Sequence, residues 1–303
     1  MSIKSWLAKN TSSLKGKIVC VSGTTGGLGG ELCRYLASLG ASLILLDRNS
    51  ERSKAHRDEL KRLNPDISVE CVRLDLENIY AARGAVEILK EMKIDVFIHN
   101  AGAYSIPRHK TSCGYDNVFQ INFATPYYII KELLPTLRER QGRVVVVGSI
   151  AHRYSKTRAS DVDFSSVKAA SRVYGNAKRY LMFSLFELFK NETQVTLSVV
   201  HPGITLTNIT AHYPKVVFAI IKYPMKLIFM SPRKAALSLL VGAFEKTDRC
   251  MWLGPRVLDI WGLPVCRRLR GVSEGEIAYI YSEAERVYER CRTTANGMNL
   301  QGE

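Results

Sequence analysis

From Lys17 onward, short runs of aliphatic and β-branched residues alternate with longer stretches whose apolar positions recur at helical spacing. Six strands are predicted, over Ile18–Val21, Leu43–Leu46, Val69–Leu74, Asp95–Ile98, Arg143–Val147 and Val195–Val200. Between them the pattern predicts helices over Gly27–Leu39, Glu51–Leu63, Ala81–Lys90, Gly114–Arg138 (broken into by Pro126) and Val167–Phe189. The strand runs are continuously apolar rather than alternating, the pattern of strands buried on both faces. Regular strand–helix alternation then implies an α/β fold: a doubly wound parallel sheet of about seven strands, right-handed crossovers and helices on both faces. No internal repeat or low-complexity linker interrupts this pattern, so residues 1–303 read as a single domain.

The first strand runs into Ser22-Gly23-Thr24-Thr25-Gly26-Gly27-Leu28-Gly29, and a helix follows. Glycines there let main-chain amides approach a pyrophosphate, and the helix N-terminus adds a favourable dipole. A glycine cluster alone is a weak signal, because turns collect glycine for steric reasons; its position between first strand and first helix is what gives it meaning. A dinucleotide site also needs an acidic group at the end of the second strand to accept from ribose hydroxyls. Asp47 stands there, 24 residues after Gly23, and Ser50 is a better candidate than Asp47 for capping the next helix. Arg48 follows immediately and is placed to face a 2′-phosphate instead. The Asp47 carboxylate would repel that phosphate, so NAD(H) is favoured over NADP(H).

Four further features follow in order: Asn100-Ala101-Gly102 after the fourth strand, Asn122 in the next helix, Ser149 ending the fifth strand, and Tyr174-Gly175-Asn176-Ala177-Lys178. With the glycine loop they resemble the short-chain dehydrogenase/reductase family over roughly Lys15 to Ala243. The resemblance implies a Rossmann-type sheet and an NAD(P)-dependent oxidoreductase that moves hydride between nicotinamide and an alcohol or carbonyl. Tyr174 and Lys178 lie one helical turn apart and so share a face. A phenol titrates near ~10, and a neighbouring ammonium is expected to lower that value toward useful acid–base chemistry.

By resemblance Tyr174 exchanges the proton, Lys178 also binds the nicotinamide ribose, Ser149 holds the substrate oxygen, and Asn122 anchors a water in the proton relay. Cofactor contacts carried over in the same way are Ser22, Gly23, Thr25, Gly26, Gly27, Leu28, Gly29, Asp47, Arg48, Asn100, Ala101 and Gly102, together with Tyr174 and Lys178. Asp75 and Leu76 close the third strand, where the family contacts adenine, and Pro202, Gly203, Thr205 and Thr207 match its Pro-Gly segment near the carboxamide. Val147-Gly148-Ser149 keeps only the second of the family's usual paired serines. The Tyr127-x-x-x-Lys131 run fits the same spacing as Tyr174/Lys178 but precedes Ser149, so Tyr127 reads as a packing residue. Ser149 and Tyr174 are 25 residues apart, and the intervening segment resembles retinol-dehydrogenase-like and WW-domain-oxidoreductase-like members, which implies an apolar retinoid-, steroid- or lipid-like substrate. His152 within it reads as an ordinary loop histidine. The alternative reading is a catalytically silent dinucleotide-binding regulatory or scaffold protein.

Within this scheme residues 15–203 form the cofactor-binding and catalytic core, 204–231 a substrate lid, and 232–303 a C-terminal helix, last strand and tail. The apolar segments around Lys215, Lys222 and Lys226 allow a second role, since apolar faces bordered by lysine rest on anionic membranes. Residues 214–230 therefore read either as lid or as a peripheral membrane contact. Ala278 to Arg290 reads as a terminal amphipathic helix, and Trp261 with Leu263 as cover for a pocket or a subunit interface; a homo-oligomer is expected.

Charge changes this picture little. There are 43 Lys+Arg against 28 Asp+Glu, a net +15, which favours anionic partners. The basic residues are scattered, the densest groups being Arg267, Arg268 and Arg270, and Arg52 to Arg62, with no zinc-finger or aromatic–basic RNA-binding spacing, so no nucleic-acid partner is expected. Seven dispersed cysteines without a C-x-x-C pair argue against a disulfide framework and a zinc site, and no metal is expected. No secretory h-region and no apolar stretch of ~20 residues stands out, so the expected location is cytoplasmic, with the membrane surface as the second possibility.

Overall fold

A computed structural model describes residues 3–205, 230–269 and 271–297. Its eight-stranded sheet has the order β3-β2-β1-β4-β5-β6-β7-β8. The strands are β1 (Ile18–Ser22), β2 (Ser42–Asp47), β3 (Val69–Arg73), β4 (Val96–His99), β5 (Arg143–Val147), β6 (Thr196–Val200), β7 (Met251–Val257) and β8 (Trp261–Arg268). All neighbours pair in parallel except β7 and β8, which form an antiparallel hairpin. The six expected strands are present within a residue or two, and the total is eight rather than about seven because this hairpin closes the edge.

One face is covered by α4 (Ile79–Lys90), α6 (Thr125–Glu139), α7 (Ala170–Leu188) and α9 (Glu274–Ala295), and the other by α1 (Ile3–Asn10), α2 (Gly27–Ser38), α3 (Ser50–Leu63) and α8 (Pro232–Gly242). Valines of β5 are fully or nearly buried, consistent with a central strand covered on both sides. Helix α3 is capped by Asn49, whose side chain accepts from the Arg52 amide; Ser50, the expected cap, is its first helical residue. Between α5 (Asn117–Phe119) and α6 the helix widens into a π-turn at Gln120–Ala124, and Pro126, which has no N–H to donate, follows directly in the first turn of α6. The expected break is therefore a change of helix type centred on Asn122.

Helix α9 is locked to α7 by Arg179. Its guanidinium makes two hydrogen bonds to Glu276, at 2.8 and 2.7 Å, and donates to the carbonyls of His152 and Gly271. Arg179 is buried, so removing it leaves Glu276 beside desolvated carbonyls with no counter-charge. Arg179→Ala should lower unfolding free energy by about 3 kcal/mol, measured by urea denaturation. Arg179→Lys, which keeps the charge but not the fork, should recover only part of that loss.

Candidate active site

The sheet order reverses between β1 and β4, and a crevice opens there at the carboxyl ends of the strands. Two clefts share Gly23, Ala101 and Gly102. The larger, about 460 Å³, is lined by Gly26, Gly27, Leu28, Gly29, Asn100, Ser149, Tyr174, Lys178, Pro202, Gly203 and Thr205 among others. The smaller, about 270 Å³, is lined by Thr25, Asp47, Arg48, Asp75 and Leu76. The expected cofactor residues thus gather along one trough, with Ser22 just beneath it. Ser22 Oγ accepts from the amides of Asn100 and Ala101 at 3.1 Å each, and Asn100 Nδ2 donates to the carbonyls of Ser22 and Gly23 at 3.0 Å. Thr207 and the 206–229 part of the lid or membrane segment lie outside the described residues.

The glycine loop is built for close approach. Gly23 has φ +74°, and a β-carbon on Gly29 would stand 2.2 Å from the Gly23 carbonyl oxygen. Helix α2 begins after Gly26 with no side-chain cap, so its first amides are left for a ligand in the larger cleft. The trough, the glycine cradle and the uncapped amides fit a dinucleotide.

Asp47 lines the smaller cleft and is also tied to the glycine loop. Its carboxylate is buried and accepts from the Thr24 hydroxyl (2.5 Å), the Ser53 hydroxyl (3.0 Å), and the Thr25 amide (3.1 Å) and hydroxyl (3.3 Å). Arg48 and Arg52 flank it, both exposed and both lining the smaller cleft.

Tyr174 and Lys178 both lie on α7 and line the larger cleft. Lys178 Nζ is buried, donates to the Val147 carbonyl at 2.9 Å, and lies 5.7 Å from the centre of the Tyr174 ring. An ammonium has three donors; Val147 takes one and leaves two for an occupant of the cleft. Burial pushes the Lys178 amine down to about 8. The Tyr174 phenol is pushed up to about 12, mainly by burial, with the Ser149 hydroxyl beside it opposing and Tyr104 adding to the rise. The expected lowering by the ammonium is absent because Nζ is drawn toward the β5 carbonyl and desolvation outweighs it. Asn122 stands behind the cleft at the π-turn. Its Nδ2 donates to the Ala103 and Val118 carbonyls at 2.8 Å, and its Oδ1 lies 2.7 Å from where a β-carbon on Gly102 would be.

The cleft also holds residues to which the sequence assigns no part in the site. Tyr104 meets the Tyr174 ring edge-on at 5.4 Å, and Tyr154, Ser171 and His201 line the same cleft. The position of His201, directly before Pro202-Gly203, was the one available signal. His152 is not a surface loop residue: it is fully buried, with Nδ1 2.7 Å from the Ser149 carbonyl. His152 and His201 pack against Trp252, edge-on and stacked respectively, and burial pushes both imidazoles down to about 4, leaving them neutral. The decoy Tyr127 is buried and bonds Glu285 at 2.6 Å, a packing role as expected.

Comparison with known proteins agrees with this geometry. The family model described as short chain dehydrogenase matches residues 17–216, and the chain belongs to that family. It is 31% identical over 202 residues to mouse (Mus musculus) retinol dehydrogenase 12, across 65% of this chain and 64% of that protein. It is 28% identical over 207 residues to human (Homo sapiens) polyprenol dehydrogenase, across 65% of this chain and 63% of that protein. The match therefore spans less than two thirds of either relative. A solved structure of an uncharacterized protein from Mycobacterium paratuberculosis shares the fold, with a TM-score of 0.71, 22% identity, and coverage of 93% of this chain and 97% of that one.

The buried amine sets a sign for pH-dependent stability. Its folded value of about 8 lies below the ordinary 10.5, so between those values the unfolded chain holds a proton that the folded chain has lost. Stability from this group should rise with pH across that window. Lys178→Met should remove the rise, read as the difference between wild-type and variant urea midpoints at successive pH values; parallel curves would refute the assignment.

Proposed function

We propose that this chain is an NAD(P)-dependent oxidoreductase that interconverts an apolar alcohol and its carbonyl compound. The observation that carries the reading is the meeting of Ser149, Tyr174 and Lys178 in one cleft continuous with an uncapped, glycine-built helix N-terminus. A nicotinamide dinucleotide, when bound, supplies the carbon that gives or takes hydride. The Ser149 hydroxyl orients the substrate oxygen, and the Tyr174 hydroxyl gives that oxygen its proton or removes it. Lys178 offers two donors to the occupant and holds positive charge below the phenol, while Asn122 fixes the Gly102–Ala103 backbone. With the phenol pushed up to about 12, its resting form is protonated, the form that donates to a carbonyl oxygen. Tyr104, Ile150, Tyr154 and Ile204 line the same cleft and give it an apolar and aromatic wall. The substrates named for the two curated relatives, retinol and polyprenol, are apolar alcohols, which supports the substrate class.

For the cofactor, repulsion between the Asp47 carboxylate and a 2′-phosphate favours NAD(H). The inward hydrogen bonding of that group and the exposed Arg48 and Arg52 support NADP(H) instead.

Purified chain should oxidise NADPH in the presence of apolar aldehydes or ketones. Tyr174→Phe should reduce turnover by about a thousandfold with cofactor affinity unchanged, measured by fluorescence titration. Cofactor binding without turnover across a broad carbonyl panel would instead favour the silent scaffold. Replacing both Arg48 and Arg52 by Ala should raise KM for NADPH at least about tenfold and leave KM for NADH nearly unchanged. An equal effect on both coenzymes would return the preference to NAD(H).

A further inference from the structure

The turn joining β7 to β8 departs from what its geometry asks for. Leu258 and Asp259 occupy its two central positions with φ of +52° and +60°, closed by a hydrogen bond from the Ile260 amide to the Val257 carbonyl at 2.9 Å. Such a turn selects Asn, Asp or Gly, and a leucine there is disfavoured by its own β-carbon. Leu258 is also 75% exposed, so neither backbone geometry nor burial among the described residues accounts for it. Val257 and Trp261 on either side are about half exposed, and so is Tyr154. Arg153, next to Tyr154, bonds Asp259 at 3.0 Å and brings these apolar groups to one end of the molecule.

The surround is basic. Lys234 Nζ sits 3.8 Å above the Trp261 ring, Arg256 is exposed, and Arg267 donates to its carbonyl. The carboxylate of the turn, Asp259, is buried and already engaged by Arg153, with Arg267 3.9 Å away. The tip also adjoins the cleft mouth: the Ile204 amide approaches the Ile260 carbonyl at 3.4 Å, and Tyr154 and Ile204 both line the cleft.

We propose that the β7–β8 turn is a membrane-docking tip, which inserts Val257, Leu258 and Trp261 into a lipid surface bearing anionic headgroups while Lys234, Arg153, Arg256 and Arg267 meet those headgroups. An apolar wedge ringed by cations is the physical requirement for such binding, and the net charge of +15 acts in the same direction. Docking in this orientation presents the cleft mouth to the bilayer, where an apolar alcohol or carbonyl compound is concentrated. The proposal does not rest on the catalytic reading, since binding to lipid requires no turnover.

The test uses the full chain with vesicles of phosphatidylserine and phosphatidylcholine, compared with phosphatidylcholine alone. Cosedimentation should favour the anionic vesicles and fall with added salt. Trp6 and Trp252 are buried, so a blue shift of tryptophan emission on binding should come from Trp261 and vanish in Trp261→Phe. Leu258→Asn suits the positive φ and should keep the melting temperature or raise it, while vesicle partitioning falls about tenfold. Binding that is indifferent to headgroup charge, or that survives unchanged in both Leu258→Asn and Trp261→Ser, overturns the proposal. So does a wild-type chain that ignores vesicles but changes oligomeric mass in Leu258→Asn, because the tip is then a contact between copies of the chain.

Discussion

Parallel pairing sends the carboxyl ends of β1 to β6 to a single edge, and the whole site depends on that constraint. Gly23, Asp47, Asp75, Asn100, Ser149 and Pro202 are scattered over about 180 residues, yet each follows the end of a strand. Where the strand order turns back between β1 and β4, the crossovers on the two faces diverge and leave a crevice that side chains do not fill. The glycines after β1 and the buried amine of Lys178 have a purpose only because that crevice lies between them.

The same edge explains how burial governs the chemistry. Lys178 is among the largest fully buried side chains, and its charge is held by one strand carbonyl rather than by a carboxylate. Tyr174 is pushed in the opposite direction by the same desolvation. The two groups thus stand closer in proton affinity to their neutral forms than either would in water. A positively charged ring entering the cleft would oppose desolvation at the phenol and reinforce it at the amine.

Much of this was legible in the sequence, for identifiable reasons. Continuous apolar runs marked the central strands because a two-face-buried strand tolerates little else, and Gly23, Asn100 and Ser149 matched strand ends while Tyr174 and Lys178 matched one face of the following helix. Other features depend on packing that no spacing reveals. Asp47 looked like a ribose acceptor by position, but Thr24, Thr25 and Ser53 fold back on it. Asn49 rather than Ser50 caps α3, a one-residue shift of the kind propensity does not resolve. The β7–β8 hairpin was hidden because Pro255, Pro264 and three basic residues (Arg256, Arg267 and Arg268) break the strand pattern at a sheet edge, where such residues are tolerated.

The Arg179 link gives the far end of the chain a voice in the geometry of Ser149. Glu276 steers the guanidinium, the guanidinium grips the His152 carbonyl, and the His152 ring holds the carbonyl of Ser149. Three handshakes therefore connect α9, which lies outside the matched family segment, to the hydroxyl that would meet a substrate. Drift in the tail of this sequence would therefore bear on the aim of the site as well as on the fold.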